Sequence, residues 1–263
     1  MIGIFDSGIG GLILLAEIKK KFPKNSIIYL GDLAHLPYGN KSPETIKRLS
    51  LQNAKFLVKK GAKIIIIACN SASAQAAPHL KREFRNILII DVITPTIEAA
   101  KAGHSKRIGI IGTRATIASN IYPKKLKGND REIFTQACPL LVHLIEEGWI
   151  NRPETKKILR YYLRPLKQAQ IDTLILACTH YPLLEKQIQQ VMGKKVKLIN
   201  SAQVGADKLA KVLKQNPKIE KKLNKNGKMK FFMTDFQHLL PEISRRFLGT
   251  KVSNVTNINL DSP

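Results

Sequence analysis

Two segments of this chain occur twice, and the repeat limits the possible folds more than any other feature of the sequence. Residues 2–8 resemble residues 108–113, and residues 64–71 resemble residues 174–180. The first pair is offset by 106 residues, from Ile2 to Ile108, and the second by 109, from Cys69 to Cys178. A strand leading into small polar residues is common by chance. Two such pairs at nearly the same offset predict two similar halves.

Short apolar segments alternate with longer amphipathic ones, which is the pattern of parallel βα units. Because the strand segments are apolar without alternation, we expect helices on both faces of each sheet. The sequence thus predicts an α/β fold of two similar domains, each a parallel sheet flanked by helices, facing each other across an active-site cleft. The predicted strands are 2–5, 26–30, 64–68, 87–91, 107–111, 174–177 and 197–199, and the helices include 43–60, 153–169 and 183–192.

The segment after residue 201 has no counterpart in the first half of the chain. Its one strand candidate, residues 230–233, is expected to return to the first sheet. The predicted domains are therefore 1–95 plus 208–263, and 96–207. The lysine-rich residues 216–228 are expected to form a loose surface connection.

Length and composition exclude several classes of protein. A chain of 263 residues with 44% hydrophobic and 24% charged residues is long enough for a buried core and close to the globular average. Its apolar runs are far shorter than the roughly 18–20 residues of a membrane span, and its start lacks the basic region of a signal peptide. We expect a cytoplasmic protein that does not contact a membrane.

The net charge is +25, from 44 basic and 19 acidic residues, and lysine supplies most of the basic ones. Such a charge attracts polyanions. Without arginine forks or a known reading motif, only weak, non-specific nucleic-acid binding is expected. A polyanion-binding or regulatory protein with inert cysteines stays open as an alternative.

Three cysteines, Cys69, Cys138 and Cys178, suit neither a disulfide framework nor a paired-cysteine zinc site, so we expect reduced thiols and no metal. Cys69 and Cys178 are counterparts in the second repeat. Each follows a predicted strand, and open α/β sheets bind ligands at the carboxyl ends of their strands. Cys138 has no counterpart and is expected to be structural.

Two thiols on opposite sides of one cleft can invert a carbon stereocentre, because one removes a proton from one face while the other delivers a proton to the opposite face. A free thiol has a pKa near 8.5, so a thiolate base needs help from its neighbours. Each thiol also has a structural alternative as a small buried apolar group. Candidates for that help are Asp6, His180 and Glu147, and candidates for binding an amino acid are Asn70, Ser71 and Thr179.

The glycine-containing loop at residues 8–11 resembles a phosphate-binding loop. Ile13 stands where the nucleotide fingerprint needs its third small residue, so the loop is a weak signal for a nucleotide.

Taken together, these motifs resemble the bacterial glutamate racemases over residues 2 to about 201. The motifs that carry the resemblance are Phe5-Asp6-Ser7-Gly8-Ile9-Gly10-Gly11-Leu12, Gly31-Asp32, Pro37-Tyr38-Gly39-Asn40-Lys41-Ser42, Ala68-Cys69-Asn70-Ser71-Ala72-Ser73-Ala74, Gly112-Thr113 with Thr116, Ala137-Cys138-Pro139-Leu140 leading to Glu146-Glu147-Gly148, and Cys178-Thr179-His180-Tyr181-Pro182-Leu183-Leu184.

The resemblance implies a racemase without a cofactor that interconverts L- and D-glutamate, supplies D-glutamate for peptidoglycan, and forms a homodimer. It implies that Cys69 is the acid/base for the D-enantiomer and Cys178 for the L-enantiomer, with Asp6 and His180, and less directly Glu147, assisting. The residues implied to bind substrate are Asp6, Ser7, Tyr38, Gly39, Asn70, Ser71, Thr116, Thr179 and His180.

A few positions depart from the family's usual residues. Ser71 replaces a threonine, His35 an arginine, His143 a proline, and Asn200-Ser201 stands at a site that often holds an acid. None of these changes removes a group implied to be catalytic. The nearest rival reading is a related two-cysteine enzyme that acts on aspartate or another α-substituted acid, since the sequence does not give the size of the cleft.

Overall fold

The computed structural model describes residues 1–128, 130–235, 240–252 and 254–260. Within these ranges, ten strands form two separate sheets, and all pairings within each sheet are parallel. The strands are β1 Ile2–Asp6, β2 Ile27–Gly31, β3 Ile64–Ile67, β4 Leu88–Asp91, β5 Arg107–Gly112, β6 Glu132–Ala137, β7 Thr173–Ala177, β8 Lys197–Asn200, β9 Met229–Met233 and β10 Val255–Asn257.

Helices separate most of these strands. Prolines at the first helical position begin α2 and α8, and the Ser42 hydroxyl caps α2 by accepting from the Thr45 N–H at 3.2 Å. The helices are α1 Leu12–Lys21, α2 Pro43–Lys59, α3 Asn70–Glu83, α4 Ile93–Ala102, α5 Arg114–Ala118, α6 Ile121–Leu126, α7 Leu140–Glu146, α8 Pro153–Gln168, α9 Glu185–Met192, α10 Ser201–Gln215, α11 Pro217–Lys221 and α12 Leu240–Leu248, with 3₁₀ turns at Leu33–His35, Tyr38–Asn40 and Tyr181–Leu184.

The strand orders are β10-β9-β2-β1-β3-β4 in the first sheet and β6-β5-β7-β8 in the second. The repeated segments occupy equivalent places, since β1 pairs with β3 in the first sheet and β5 with β7 in the second. The prediction of an α/β fold with two similar parallel sheets is confirmed. Strand β9 pairs with β2, so the chain does return to the first sheet, while the two domain boundaries stay predictions.

Both faces of the first sheet are covered. The four isoleucines of β3 are all fully buried; Ile64 and Ile66 belong to one apolar cluster, and Ile65 and Ile67 to another on the opposite face. Burying an isoleucine side chain stabilises a fold by about 1.5–3 kcal/mol. The central strands are therefore firmly packed, and they position the residues that follow their carboxyl ends.

One connection and two strands differ from the sequence-based expectation. The connection at residues 216–228 is not loose, because it contains α11, and its Asn224 and Lys228 carbonyls accept hydrogen bonds from Ser26 and Ile27 at the start of β2. Strands β6 and β10, each at the edge of its sheet, are not among the predicted strands; β6 is half-exposed and begins with Glu132.

Among the residues described, no helix is both long enough and apolar enough to span a bilayer.

Candidate active site

A small cavity lies at the carboxyl ends of the central strands, where the two sheets face each other. Its volume is about 20 Å³, close to the roughly 10–15 Å³ that a single water requires. A substrate the size of an amino acid therefore needs the walls to move apart. The predicted site residues that line it are Ser7, Tyr38, Gly39, Cys69, Asn70, Ser71, Cys178, Thr179 and His180; Leu36, Pro37, Thr113, Val142 and Ala177 complete the wall.

Cys69 lies between β3 and α3, and its side chain is buried. Its thiol donates to the Ser7 hydroxyl at 3.6 Å, and its sulfur accepts from the Ala72 N–H in the first turn of α3 at 3.5 Å. Burial and the nearby Asp6 carboxylate raise the pKa of the Cys69 thiol to about 12. Cys69 is thus a protonated thiol at neutral pH, suited to donating a proton.

Asp6, the last residue of β1, is fully buried beside this thiol rather than in the cavity wall. Its Oδ2 accepts from the N–H groups of Gly8 at 3.3 Å and Gly11 at 3.0 Å, whereas its Oδ1 has no hydrogen-bond partner among the described residues. Burial raises the pKa of Asp6, against the opposing effects of His180 and the backbone donors. The backbone N–H groups of the glycine loop therefore bind the Asp6 carboxylate. Groups of the same type bind phosphate in phosphate-binding loops.

Cys178 follows β7 directly, and its sulfur lies 3.9 Å from Nδ1 of His180. The other ring nitrogen, Nε2, lies 3.0 Å from a carboxylate oxygen of Glu146 at the end of α7. Burial alone lowers the pKa of His180, but the contacts with Cys178 and Glu146 outweigh it and raise the pKa to about 10. The second thiol therefore faces a positively charged imidazolium at neutral pH.

The position predicted for the assisting glutamate, Glu147, needs correction. Glu147 is exposed at the C-terminal cap of α7, and its neighbour Glu146 reaches His180. Successive residues of a helix point about 100° apart, so only one of two adjacent glutamates can face the site. Sequence spacing did not distinguish them.

The polar groups predicted to bind substrate are held by the protein itself. The Tyr38 hydroxyl donates to the Asp32 carboxylate and accepts from Asn53 Nδ2 at 2.8 Å. Asn70 Oδ1 accepts from the Tyr122 hydroxyl at 3.0 Å. These bonds fix both side chains at the cavity before any ligand arrives.

Ser71 connects the two halves, since its Oγ lies 2.8 Å from Thr113 Oγ1 and 3.3 Å from Thr116 Oγ1. Thr116 lies behind this pair rather than in the cavity wall. Thr113 was not among the predicted binding residues, yet the first repeat contains the signal for it. At an offset of 106 residues, Thr113 is the counterpart of Ser7, and both line the cavity.

The residues that depart from the usual pattern lie around this site. His35 Nδ1 contacts the Asp32 carboxylate at 2.8 Å, and Asn200 caps α10 by accepting from the Ala202 N–H. The Ser201 hydroxyl accepts from Asn70 at 3.4 Å, and His143 is exposed on α7. The thiols and their immediate partners are untouched by these changes.

The fold and the site define an α/β protein in which two thiols, from equivalent strand ends of two sheets, face one cavity. Residues 14–209 match the family model of Asp/Glu/hydantoin racemases. The chain is 42% identical to a glutamate racemase of Geobacter metallireducens over 99% of this chain and 97% of that one. A glutamate racemase of Aquifex pyrophilus is also 42% identical, with 94% of each chain covered.

Solved structures agree. The crystal structure of glutamate racemase from Francisella tularensis in complex with D-glutamate superimposes with a TM-score of 0.92 at 36% identity, covering 99% of this chain and 97% of that one. This chain therefore belongs to the Asp/Glu/hydantoin racemase family, within its glutamate racemase branch. The expectation of an isomerase is confirmed.

Proposed function

We propose that this protein interconverts L- and D-glutamate by proton transfer at the α-carbon between Cys69 and Cys178, with no cofactor. The observation that carries the proposal is that these two thiols, from equivalent strand ends of two sheets, line the same small cavity. Glutamate is favoured as the substrate over aspartate because the relatives over nearly the full length are glutamate racemases, one of them bound to D-glutamate.

In the direction from L to D, the Cys178 thiolate removes the α-proton and Cys69 delivers its proton to the opposite face of the carbanion. The thiol of Cys178 and the thiolate of Cys69 are the products on the protein. In the direction from D to L, Cys69 is the base and Cys178 the acid. The raised pKa of Cys69 suits its role as the proton donor in the first case.

The two thiols have unlike surroundings. Beside Cys178, the His180 imidazolium is a positive charge that stabilises negative charge on the sulfur, and Glu146 holds the ring in place through its other nitrogen. Beside Cys69, Asp6 is an anion, so a positive charge has to come from elsewhere. The ammonium group of the bound amino acid supplies one; the Ser7 hydroxyl lines the cavity and can accept from it, while the Asp6 carboxylate, which does not line the cavity, attracts it by charge.

Several further parts of the proposal follow from membership of this family. The product D-glutamate serves peptidoglycan synthesis in the cytoplasm, and the protein acts as a homodimer. Ser7, Tyr38, Gly39, Asn70, Ser71 and Thr179 contact the substrate directly, with Thr116 supporting Ser71 from behind. Binding also requires the cavity to open, given its small volume.

The decisive experiment incubates the purified protein with L-glutamate in heavy water without added cofactor. NMR follows exchange of the α-proton, and circular dichroism follows loss of optical activity. The wild type is expected to do both. Cys69→Ala and Cys178→Ala should each abolish racemisation in both directions, because each direction uses both thiols.

Cys138→Ala is the matched control, since Cys138 is a third buried thiol that does not line the cavity. It should keep activity within about threefold, a change of less than about 0.7 kcal/mol in the barrier. Normal racemisation by Cys178→Ala would overturn the two-thiol scheme. Exchange of aspartate but not glutamate would keep the chemistry and change the substrate.

A further inference from the structure

Helix α12 packs against the ring of His180, although its segment of the chain has no counterpart in the repeat. The ring centroids of Phe247 and His180 lie 5.5 Å apart at an interplanar angle of 88°, which is an edge-to-face contact. Both side chains are buried, with 4% and 2% exposure. Helix α12 also packs on α1, in the first half of the chain, whereas His180 follows β7 in the second. The contact therefore joins the two halves at a site residue.

The same helix reaches the chain beside the other partner of His180. The guanidinium of Arg246 lies so close to Gly148 that a Cβ there would collide with it. Gly148 has a φ of +74° and is the second residue after α7, which ends at Glu146. Two successive residues of α12 therefore contact the surroundings of the hydrogen bond between Glu146 and His180.

The polar contacts of His180 leave its ring free to tilt. Nε2 lies 3.0 Å from Glu146, and Nδ1 lies 3.9 Å from the Cys178 sulfur. Hydrogen bonds of an imidazole lie near the plane of its ring, so they resist tilting out of that plane less than a side chain packed on the ring does. A distance of 3.9 Å is already long, so a small tilt separates the imidazolium from the sulfur whose negative charge it stabilises.

We propose that Phe247 is a positioning residue, which holds the His180 ring beside the Cys178 sulfur by packing against it. The inference rests on the proposed reaction, in which Cys178 is the base for L-glutamate. The active site then includes an element outside the two repeated halves. Phe247 touches neither thiol's cavity wall nor the substrate, and it acts through His180 alone.

The kinetic test is a double-mutant cycle. Phe247→Leu keeps an apolar side chain and removes the ring, so kcat/KM for glutamate should fall about tenfold in both directions, a change of about 1.4 kcal/mol in the barrier. Glu146→Gln acts on the same imidazolium. The double variant should therefore lose at least about threefold less than the product of the two single losses. A loss equal to the full product would mean that Phe247 acts independently of His180, and it would overturn the proposal.

Leu248→Ala is the matched control, because Leu248 is the next residue of α12 and lines a separate groove with Met229 and Phe231 of β9. It also shortens an apolar side chain of this helix. It should keep kcat/KM within about twofold, and its effect should simply multiply that of Glu146→Gln. An equal loss in Leu248→Ala would reduce the effect of Phe247 to the general packing of α12 and overturn the proposal.

A measurement without substrate separates this inference from the proposed reaction. The Nε2–H that His180 donates to Glu146 is buried, so NMR of ¹⁵N-labelled protein at pH 7 should show it as a slowly exchanging proton, identified by its absence in His180→Gln. Phe247→Leu should speed its exchange with water at least about tenfold, and Leu248→Ala should not.

Circular dichroism confirms that each variant is folded, and Phe247→Met takes the place of a leucine variant that is not. Unchanged exchange in the Phe247 variant, or fast exchange already in the wild type, would overturn the positioning role. So would full activity of that variant beside an active wild type. A wild type that does not racemise glutamate would refute the proposed reaction, and the exchange rates would still show whether Phe247 holds the ring.

Discussion

The contact between Glu146 and His180 gives a sharp prediction about catalysis. Both side chains are nearly buried, with 13% and 3% exposure, and the bond of 3.0 Å joins a carboxylate to an imidazolium. A hydrogen bond between charged, buried groups contributes about 1.5–3 kcal/mol, against about 0.5–1.5 for a neutral one. Glu146→Gln keeps a bond and removes the charge, so the loss is about 1–2 kcal/mol.

At about 1.36 kcal/mol per factor of ten, this loss lowers kcat/KM for glutamate about 5- to 30-fold. The same energy lowers the pKa of His180 by about one unit from its value of about 10. In the wild type, kcat/KM should fall as the pH rises through 10, because the imidazolium loses its proton. In Glu146→Gln, that fall should begin about one pH unit lower. Circular dichroism of each enantiomer at a series of pH values measures both effects.

Glu147→Gln is the matched control, since Glu147 is the exposed neighbour, and it should keep kcat/KM within twofold. The assay also contains an internal check. The enantiomers have equal free energies in water, so kcat/KM must fall by the same factor in both directions. Full activity and an unshifted pH limit in Glu146→Gln would refute the role given to this carboxylate, and an equal loss in Glu147→Gln would refute the assignment to Glu146.

Two substitutions near the cavity test its packing. Tyr38→Phe removes the hydroxyl that hydrogen-bonds with the buried side chains of Asp32 and Asn53. It should lower the free energy of unfolding, measured in urea, by about 1–3 kcal/mol. Tyr161→Phe, at an exposed tyrosine, is the control and should change that free energy by less than about 0.5 kcal/mol. Gly10→Ala would place a Cβ 2.4 Å from Thr179 Oγ1 and 2.6 Å from the His180 ring, so kcat/KM should fall more than about tenfold, the effect of about 1.4 kcal/mol or more on the barrier. Unchanged kinetics in Gly10→Ala would mean that this wall moves freely.

The fold was predictable where burial is complete. Strand β3 is an uninterrupted run of isoleucines because both faces of its sheet are covered. This strand is part of the second repeat, and the repeat predicted which strands occupy equivalent places in the two sheets. Edge strands β6 and β10 were not predicted, because exposed and half-buried positions interrupt their apolar pattern. The length of an element was less predictable than its position. The predicted helix at 183–192 is a 3₁₀ turn at Tyr181–Leu184 followed by α9.

Site residues were predictable where the residue type has few chemical uses. They were less predictable where packing determines which side chain reaches the site. The two thiols followed from repeated strand ends, and their shared cavity is where the repeat predicted it. Which of Glu146 and Glu147 faces His180 depends on how α7 is rotated relative to β7. Two adjacent glutamates in a sequence give no signal for that rotation. The sequence places Gly10 in a possible phosphate-binding loop. In the structure, a glycine is needed at this position because Thr179 and His180 from the other half of the chain approach it too closely for a Cβ.

The two halves repeat one backbone design but place opposite charges beside their thiols. Cys178 faces a cation held by Glu146, whereas Cys69 faces the buried carboxylate of Asp6. In the proposed cycle, conversion of L-glutamate moves the negative charge from the sulfur near the cation to the sulfur near the anion. When D-glutamate leaves with its ammonium group, the Cys69 thiolate is left beside Asp6, and with a pKa of about 12 it takes up a proton from water or from the Cys178 thiol. The surroundings of Cys69 therefore favour its protonated form between turnovers, and Cys178 must release the proton that it took from the substrate before the protein can accept L-glutamate again.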